Sequence, residues 1–239
     1  MNPEQRPPAD EYTNPTIKVR QDTGVATLFN RTMIILSAMI GLAYLGTLAT
    51  WGMTMTWWTF LLFGIPMLIG AVAVPLWAQN AADNDLTPLL GVAAFALFSG
   101  AFVGPTLAYY TETLGSSQVS LACAITLAVT GGAAGISTFV SFNWRKVESW
   151  LMLPLLGLIG YHLVTVFTGV NSTMDWVISL CGAGLFSVFL VVDFVRMKDQ
   201  GRRGMYGWPL AGIIAMNIFL DMLNLLLYVL RIMGATSDD

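Results

Sequence analysis

Seven long apolar runs separated by short polar links dominate the chain, at roughly 32–52, 57–78, 87–110, 117–142, 150–170, 176–197 and 208–232. About 20 mainly apolar residues, rising 1.5 Å each as a helix, cross the hydrocarbon core of a bilayer, so each run predicts one spanning helix. The runs are too long for the strands of a membrane barrel and lack their strict alternation. Turn-forming residues punctuate the links, as in Gln79-Asn80-Ala81-Ala82-Asp83-Asn84-Asp85 and Asn171-Ser172-Thr173. Asp83 and Asp85 precede Leu86-Thr87-Pro88 and read as turn and N-cap residues of the next helix. The expected architecture is an all-α membrane protein: a seven-helix transmembrane domain over residues 31–234, after a flexible N-terminal tail (1–30) and before a short acidic tail (235–239). The first segment, with Pro3, Pro7, Pro8 and Pro15, does not read as a cleavable signal, because the first apolar run begins only near residue 32 and is long enough to span.

Composition sharpens this. Charged residues make up 10% of the 239, against roughly a quarter in soluble domains. With 56% hydrophobic residues, a soluble fold of this size would expose large apolar patches. A net charge of -3 without a dense basic face argues against nucleic acid as a partner. Cys123 and Cys181 lie inside apolar runs with no CxxC or Cys/His spacing, and read as small core residues.

The placement of charge sets an expected orientation, since positive residues accumulate in cytoplasmic links. Arg6, Lys18, Arg20 and Arg31 precede or open the first span, Arg145 and Lys146 sit between spans four and five, and Arg196, Lys198, Arg202 and Arg203 between six and seven. Those segments share one side, which therefore carries ten of the eleven basic residues, leaving Arg231 beside Asp238-Asp239. The N-terminus is expected in the cytoplasm and the C-terminus outside.

Polar residues within the spans are the candidates for function. Asn217, Asp221, Asn224, Tyr228 and Arg231 follow steps of 4, 3, 4 and 3, which place them on one stripe of the seventh helix. Lipid penalises such a stripe, so it should face protein or water, either as a packing seam or as a pathway. Asp193 closes the apolar part of the sixth span. The midpoint of 193 and 221 is residue 207, within the turn-forming cluster Gly201, Gly204, Gly207 and Pro209. A hairpin tip there sets both aspartates about 14 residues back and level with one another, roughly 20 Å down each helix. Alternatively Arg196, three residues after Asp193, neutralises it at the cytoplasmic surface. Two neighbouring carboxylates in low dielectric share a proton and titrate as a pair, in two macroscopic steps. Ionised, they offer oxygen to a hard cation such as Ca²⁺, but fall short of its usual six to eight ligands, which suits weak, transient binding.

Other polar residues have plainer readings. Gly131, Gly132 and Gly135 are expected to let a neighbouring helix approach closely. Thr126, Thr130, Ser137 and Ser141 either bond back to their own helix or line a polar seam. Glu112 and Asp175 read as solvated loop acids, with gathering of cations at an entrance as the alternative.

Three segments resemble the transmembrane Bax-inhibitor-motif (Bax inhibitor-1-like) family. Gly100-Ala101-Phe102-Val103-Gly104-Pro105-Thr106-Leu107-Ala108-Tyr109-Tyr110 looks like its glycine–proline–tyrosine segment, and Phe189-Leu190-Val191-Val192-Asp193 like its acidic sixth-span motif. Residues 217–234, from Asn217 to Gly234, are similar to its ending. The resemblance implies a bundle with the seventh helix near the centre and a pH-sensitive calcium leak controlled by an aspartate pair, mapping onto Asp193 and Asp221, in which deprotonation relaxes the closed state. Asn217, Asn224, Tyr228 and Arg196 would line the pathway or support the pair. Family members can carry an arginine in the second span that latches the pair, whereas residues 57–78 hold no charged residue here. That leaves Arg196, another group or nothing as the latch. No tightly bound cofactor is implied; calcium is a permeant ion and the bilayer a partner. Placement in a bacterial inner membrane follows from the family and the charge pattern.

Two other classes compete. Some bacterial relatives are implicated in restraining a membrane-embedded FtsH-type AAA protease, so a non-transporting regulator engaging it through the N-terminal tail is the alternative. An intramembrane serine–histidine enzyme would need Ser137 and His162, but Thr138 stands where the rhomboid pattern wants glycine, and His162 reads as a packing or hydrogen-bonding residue. No enzyme activity is expected. A retinal-binding rhodopsin is excluded because the seventh span lacks a Schiff-base lysine.

Overall fold

In a computed structural model, residues 15–54, 56–168 and 172–235 are described, and they form seven helices and no strand. These are α1 (Pro15–Thr50), α2 (residues 57–79), α3 (Pro88–Leu114), α4 (Ser116–Phe139), α5 (Trp144–Thr168), α6 (Ser172–Arg202) and α7 (Trp208–Ala235). All but α5, which opens with Arg145, Lys146 and Glu148, are long and apolar enough among the described residues to cross a membrane.

The N-terminal boundary needs correcting. Residues 15–30, expected within a flexible tail, are already helical, and residues 1–14 and 236–239 lie outside the described residues. Leu28 is fully buried. At Gly24 a Cβ would meet the backbone of Gly201, so α1 crosses the end of α6 there at backbone contact. Hydropathy alone misses these turns because Lys18, Arg20, Gln21 and Asp22 interrupt the apolar run.

Central placement of the seventh helix follows from what it touches. α7 packs against α1, α2, α3, α4 and α6, and 67% of its most apolar stretch is buried, against 11% in α2. α2 is thus a peripheral helix, and its apolar surface faces outward where lipid would cover it. Inside α2, a five-residue π-turn at Phe60–Gly64 interrupts the regular helix where Gly64 meets the Phe102 ring of α3.

The glycine–proline segment explains the tightest helix pair. Pro105 lacks an N–H, so the Ala101 carbonyl loses its helical donor. Across the interface the Thr50 hydroxyl donates to that carbonyl at 2.9 Å, and the Thr47 hydroxyl donates to Gly100 O at 3.1 Å. The exchange is possible because a Cβ on Gly100 would overlap the Ala43 backbone and one on Gly46 the Leu97 carbonyl. By contrast Gly131, Gly132 and Gly135, expected to serve this role, have nothing within 4 Å of where a Cβ would stand. Glycine spacing shows that a close approach is allowed, not which way the helix faces.

Four chain segments share one end of the bundle. Trp208 N donates to Asp83 O at 3.0 Å, joining the α6–α7 turn to the α2–α3 link. Asp85 Oδ1 caps Thr87 N at 2.8 Å as α3 begins. Lys198 of α6 donates to Ser137 O and to Val140 O (2.8 Å), where α4 ends. Arg31 of α1 donates to Tyr206 O and lies 4.7 Å from the Trp208 ring centre. Among the described residues, Arg31, Arg145, Lys198, Arg202 and Arg203 therefore gather at this end.

Candidate functional site

Asp193 sits on α6, 7% exposed, between Val192 and Phe194, which are almost wholly buried. Its Oδ2 is sealed from solvent and has no hydrogen-bond partner. Asp221 projects from α7, partly buried, within electrostatic reach of Asp193. Glu148 of α5 reaches both carboxylates, and Arg196 of α6 reaches Asp193. The pair expected between the sixth and seventh helices is therefore brought together. Its register differs from the expected one. Asp193 lies nine residues before the end of α6 at Arg202, and Asp221 thirteen after the start of α7 at Trp208. Asp221 is thus about 6 Å deeper by helical rise, because the turn is centred near residue 205 rather than 207.

Arg196 does not close an ion pair on Asp193. Its Nη1 stands 4.0 Å from Glu148 Oε1, its guanidinium lies 5.1 Å from the Trp144 ring centre, and its buried Nε has no partner. The cation is held one turn to the side, by α5, where its charge acts on Asp193 without closing an ion pair with it.

The polar stripe of α7 holds as a stripe: Asn217, Asp221, Asn224 and Arg231 are partly buried and Tyr228 is buried. Asn224 donates to its own Leu220 O at 2.9 Å. Ten residues beyond Asp221, about 15 Å along the helix, the stripe enters a second cluster that sequence reasoning missed. The Tyr228 hydroxyl is 3.0 Å from His162 Nε2, and Arg231 Nη1 is 3.2 Å from the same nitrogen. The same guanidinium nitrogen stands 3.5 Å from His162 Nδ1, so Arg231 lies along the edge of the imidazole that carries both ring nitrogens. Arg231 also meets Asp175 Oδ1 at 3.9 Å, and its charge acts on the phenol of Tyr110.

Rings seal this far end. Phe186 and His162 stack on Tyr228 with centres 5.8 and 5.9 Å away, in space that Gly182 leaves open, since a Cβ there would come within 2.6 Å of the Tyr228 ring. Asp175, read as a solvated loop acid, instead occupies the first turn of α6, where the helix dipole favours an anion. Glu112 is exposed on the last turn of α3, which runs on to Leu114 before Gly115 turns the chain at φ +87°. The missed signal was topological. In an up-and-down bundle, the ends of α3, α5 and α7 and the start of α6 must meet, and those ends carry Tyr110, His162, Arg231 and Asp175.

Three further readings resolve. Thr126, Thr130 and Ser137 donate to Ala122 O, Thr126 O and Ala134 O of their own helix, so they bond back rather than form a seam, while Ser141 falls in the α4–α5 link. Ser137 lies at the Lys198 end and His162 at the Arg231 end, so the two do not meet as a dyad. Cys123 and Cys181 are free and exposed on the bundle surface, not core residues.

The family model described as inhibitor of apoptosis-promoting Bax1 matches residues 25–238. The chain belongs to the Bax inhibitor-1 family. Among relatives of this Bax inhibitor-1 family member, an uncharacterized protein of Borreliella burgdorferi is 24% identical over 69% of this chain and 72% of its own length. An uncharacterized protein of Helicobacter pylori J99 is 26% identical over 61% of this chain and 60% of its own. An uncharacterized membrane protein of Streptococcus pyogenes serotype M1 is 25% identical, covering 66% and 68%. The match runs from residue 25, about three turns into α1, through α7, and with the six apolar helices it makes this family member an integral, multi-pass membrane protein.

Proposed function

We propose that this Bax inhibitor-1 family member is a pH-sensitive leak for cations, calcium foremost, gated by Asp193 and Asp221. It spans a bacterial inner membrane seven times, with the N-terminus in the cytoplasm and the C-terminus outside. The reading rests above all on the Asp193 carboxylate oxygen, which is buried without a donor while a second carboxylate lies within its field. An ionised carboxylate in that position is costly, so protonation and helix packing are coupled.

With the pair protonated, α6 and α7 pack without repulsion and the pathway is shut. Loss of the shared proton sets Asp193, Asp221 and Glu148 against one another, with Arg196 offsetting only part of the charge. The two helices then loosen and water enters. A calcium ion would take oxygens from the two aspartates and fill its shell with water and the side-chain carbonyls of Asn217 and Asn224, a weak site suited to transit. Toward the far end the stack of Phe186, Tyr228 and His162 must part, and Asp175 keeps Arg231 turned from the path.

The test is calcium entry into proteoliposomes carrying a trapped dye, between about pH 5 and 8. Flux rising with pH in the wild type, and losing that slope in Asp193→Asn and Asp221→Asn, is the expected result. Flux independent of pH and unchanged in Asp221→Asn would overturn it. No flux above empty liposomes from folded protein would favour the non-transporting regulator of an FtsH-type protease.

A further inference from the structure

A cavity of about 240 Å³ opens at the basic end of the bundle, between the α4–α5 link and the last turns of α6. Arg145, Lys198, Arg202 and Arg203 line it with a single acid, Asp199, a surplus of three positive charges. Two of the four cations are already engaged. Arg203 holds Asp199 Oδ2 at 3.0 Å, and Lys198 is spent on the carbonyls of Ser137 and Val140. Asp199 in turn accepts from Trp144 Nε1 at 3.0 Å, which fixes the cavity wall. Arg145 and Arg202 have no carboxylate within 4 Å among the described residues. The first turn of α5 adds the positive end of a 25-residue helix at the rim.

We propose that this cavity binds the phosphate of an acidic phospholipid headgroup, with Arg145 and Arg202 as its principal contacts. Arg145 lies 5.2 Å from the Trp144 ring centre, but neither guanidinium has a carboxylate within 4 Å among the described residues, and such a pair suits a phosphate, which it can grip through paired hydrogen bonds. The volume fits a headgroup rather than a whole lipid. Phe139, which leaves 91% of its surface uncovered, comes two residues before Ser141 and Phe142 of the cavity wall, giving acyl chains an apolar flank next to it in the chain. A soluble phosphate would have no use for that flank. Basic pockets at the ends of membrane helices recognise anionic headgroups by this combination of charge and position.

Native mass spectrometry of the full chain in detergent, with phosphatidylglycerol or phosphatidylcholine added, tests the proposal. Phosphatidylglycerol adducts should exceed phosphatidylcholine adducts, and Arg145→Gln and Arg202→Gln should each weaken them about fivefold, the worth of one basic residue near an anionic surface. Lys146→Gln removes the same charge next door but outside the cavity lining, and should leave the adducts near wild type. Equal adducts of the two lipids, or equal losses in Lys146→Gln and Arg145→Gln, would overturn the site. Thermal protection by inorganic phosphate as strong as that by phosphatidylglycerol would overturn the lipid assignment in favour of a free phosphate.

Discussion

A carboxylate buried in the helix interface lacks the water that would ordinarily stabilise its charge, and the protein supplies no donor to Asp193 Oδ2 in its place. The charged groups facing it are Asp221 on α7, Glu148 on α5 and Arg196 on its own helix. Two of the three repel an anion. Asp193→Asn keeps the shape and removes the charge, so its effect on stability should depend on pH. Near pH 8 the variant should be more stable than wild type by on the order of 1 kcal/mol, the scale of one unsatisfied buried polar group. Near pH 5, with the wild-type pair protonated, the gain should vanish. Thermal melts of both proteins at the two pH values measure it, and a pH-independent difference would count against ionisation as the cause. Sequence alone made Asp221 and the stripe legible through spacing on one helix, and Asp193 through its place as the acid that closes the sixth apolar run. It left the partners of Tyr228 and Arg231 hidden, because His162 lies 66 and 69 residues away from them and carries no pattern of its own.

Helix positions were legible from hydropathy to within a few residues at most ends, since lipid demands long apolar runs. Which face of each helix meets another was not. Glycines illustrate this: Gly100 and Gly131 sit in equally apolar surroundings along the chain, yet one touches the Ala43 backbone and the other faces open space. Gly100→Leu should therefore prevent assembly of α1 on α3, read as loss of monodisperse protein. Gly131→Leu should purify like the wild type. Thr50→Val keeps the shape but withdraws the donor from Ala101 O, and should lower stability by about 1 kcal/mol, typical of one such hydrogen bond. A wild-type melting curve for Thr50→Val would mean that the Ala101 carbonyl finds another donor.

At the scale of the whole molecule, charge separates the two ends. The α2–α3, α4–α5 and α6–α7 connections cluster with the start of α1, while the opposite end gathers Tyr110, His162 and Asp175 around Arg231. The expected orientation is open to direct labelling. After Cys123 and Cys181 are replaced by serine, Thr113→Cys should react with a membrane-impermeant maleimide in intact cells. Asn143→Cys should react only after lysis. The reverse pattern would invert the topology and put the far-end cluster in the cytoplasm.

Position in the chain gives the burial of α7 a further meaning. Six helices leave the ribosome before it, and none of them can complete the interior, because the surfaces that α7 fills on α1, α2, α3, α4 and α6 have no other occupant. Until its arrival the growing bundle is a ring with an empty slot, open to lipid or water. Insertion of a helix bearing Asp221, Asn224 and Arg231 straight into hydrocarbon is unfavourable, so the slot built by earlier helices is also what lets that polar stripe enter the membrane. The last helix made is thus the one that completes the interior: a chain that has not received it lacks the core residues from Ala211 to Leu230.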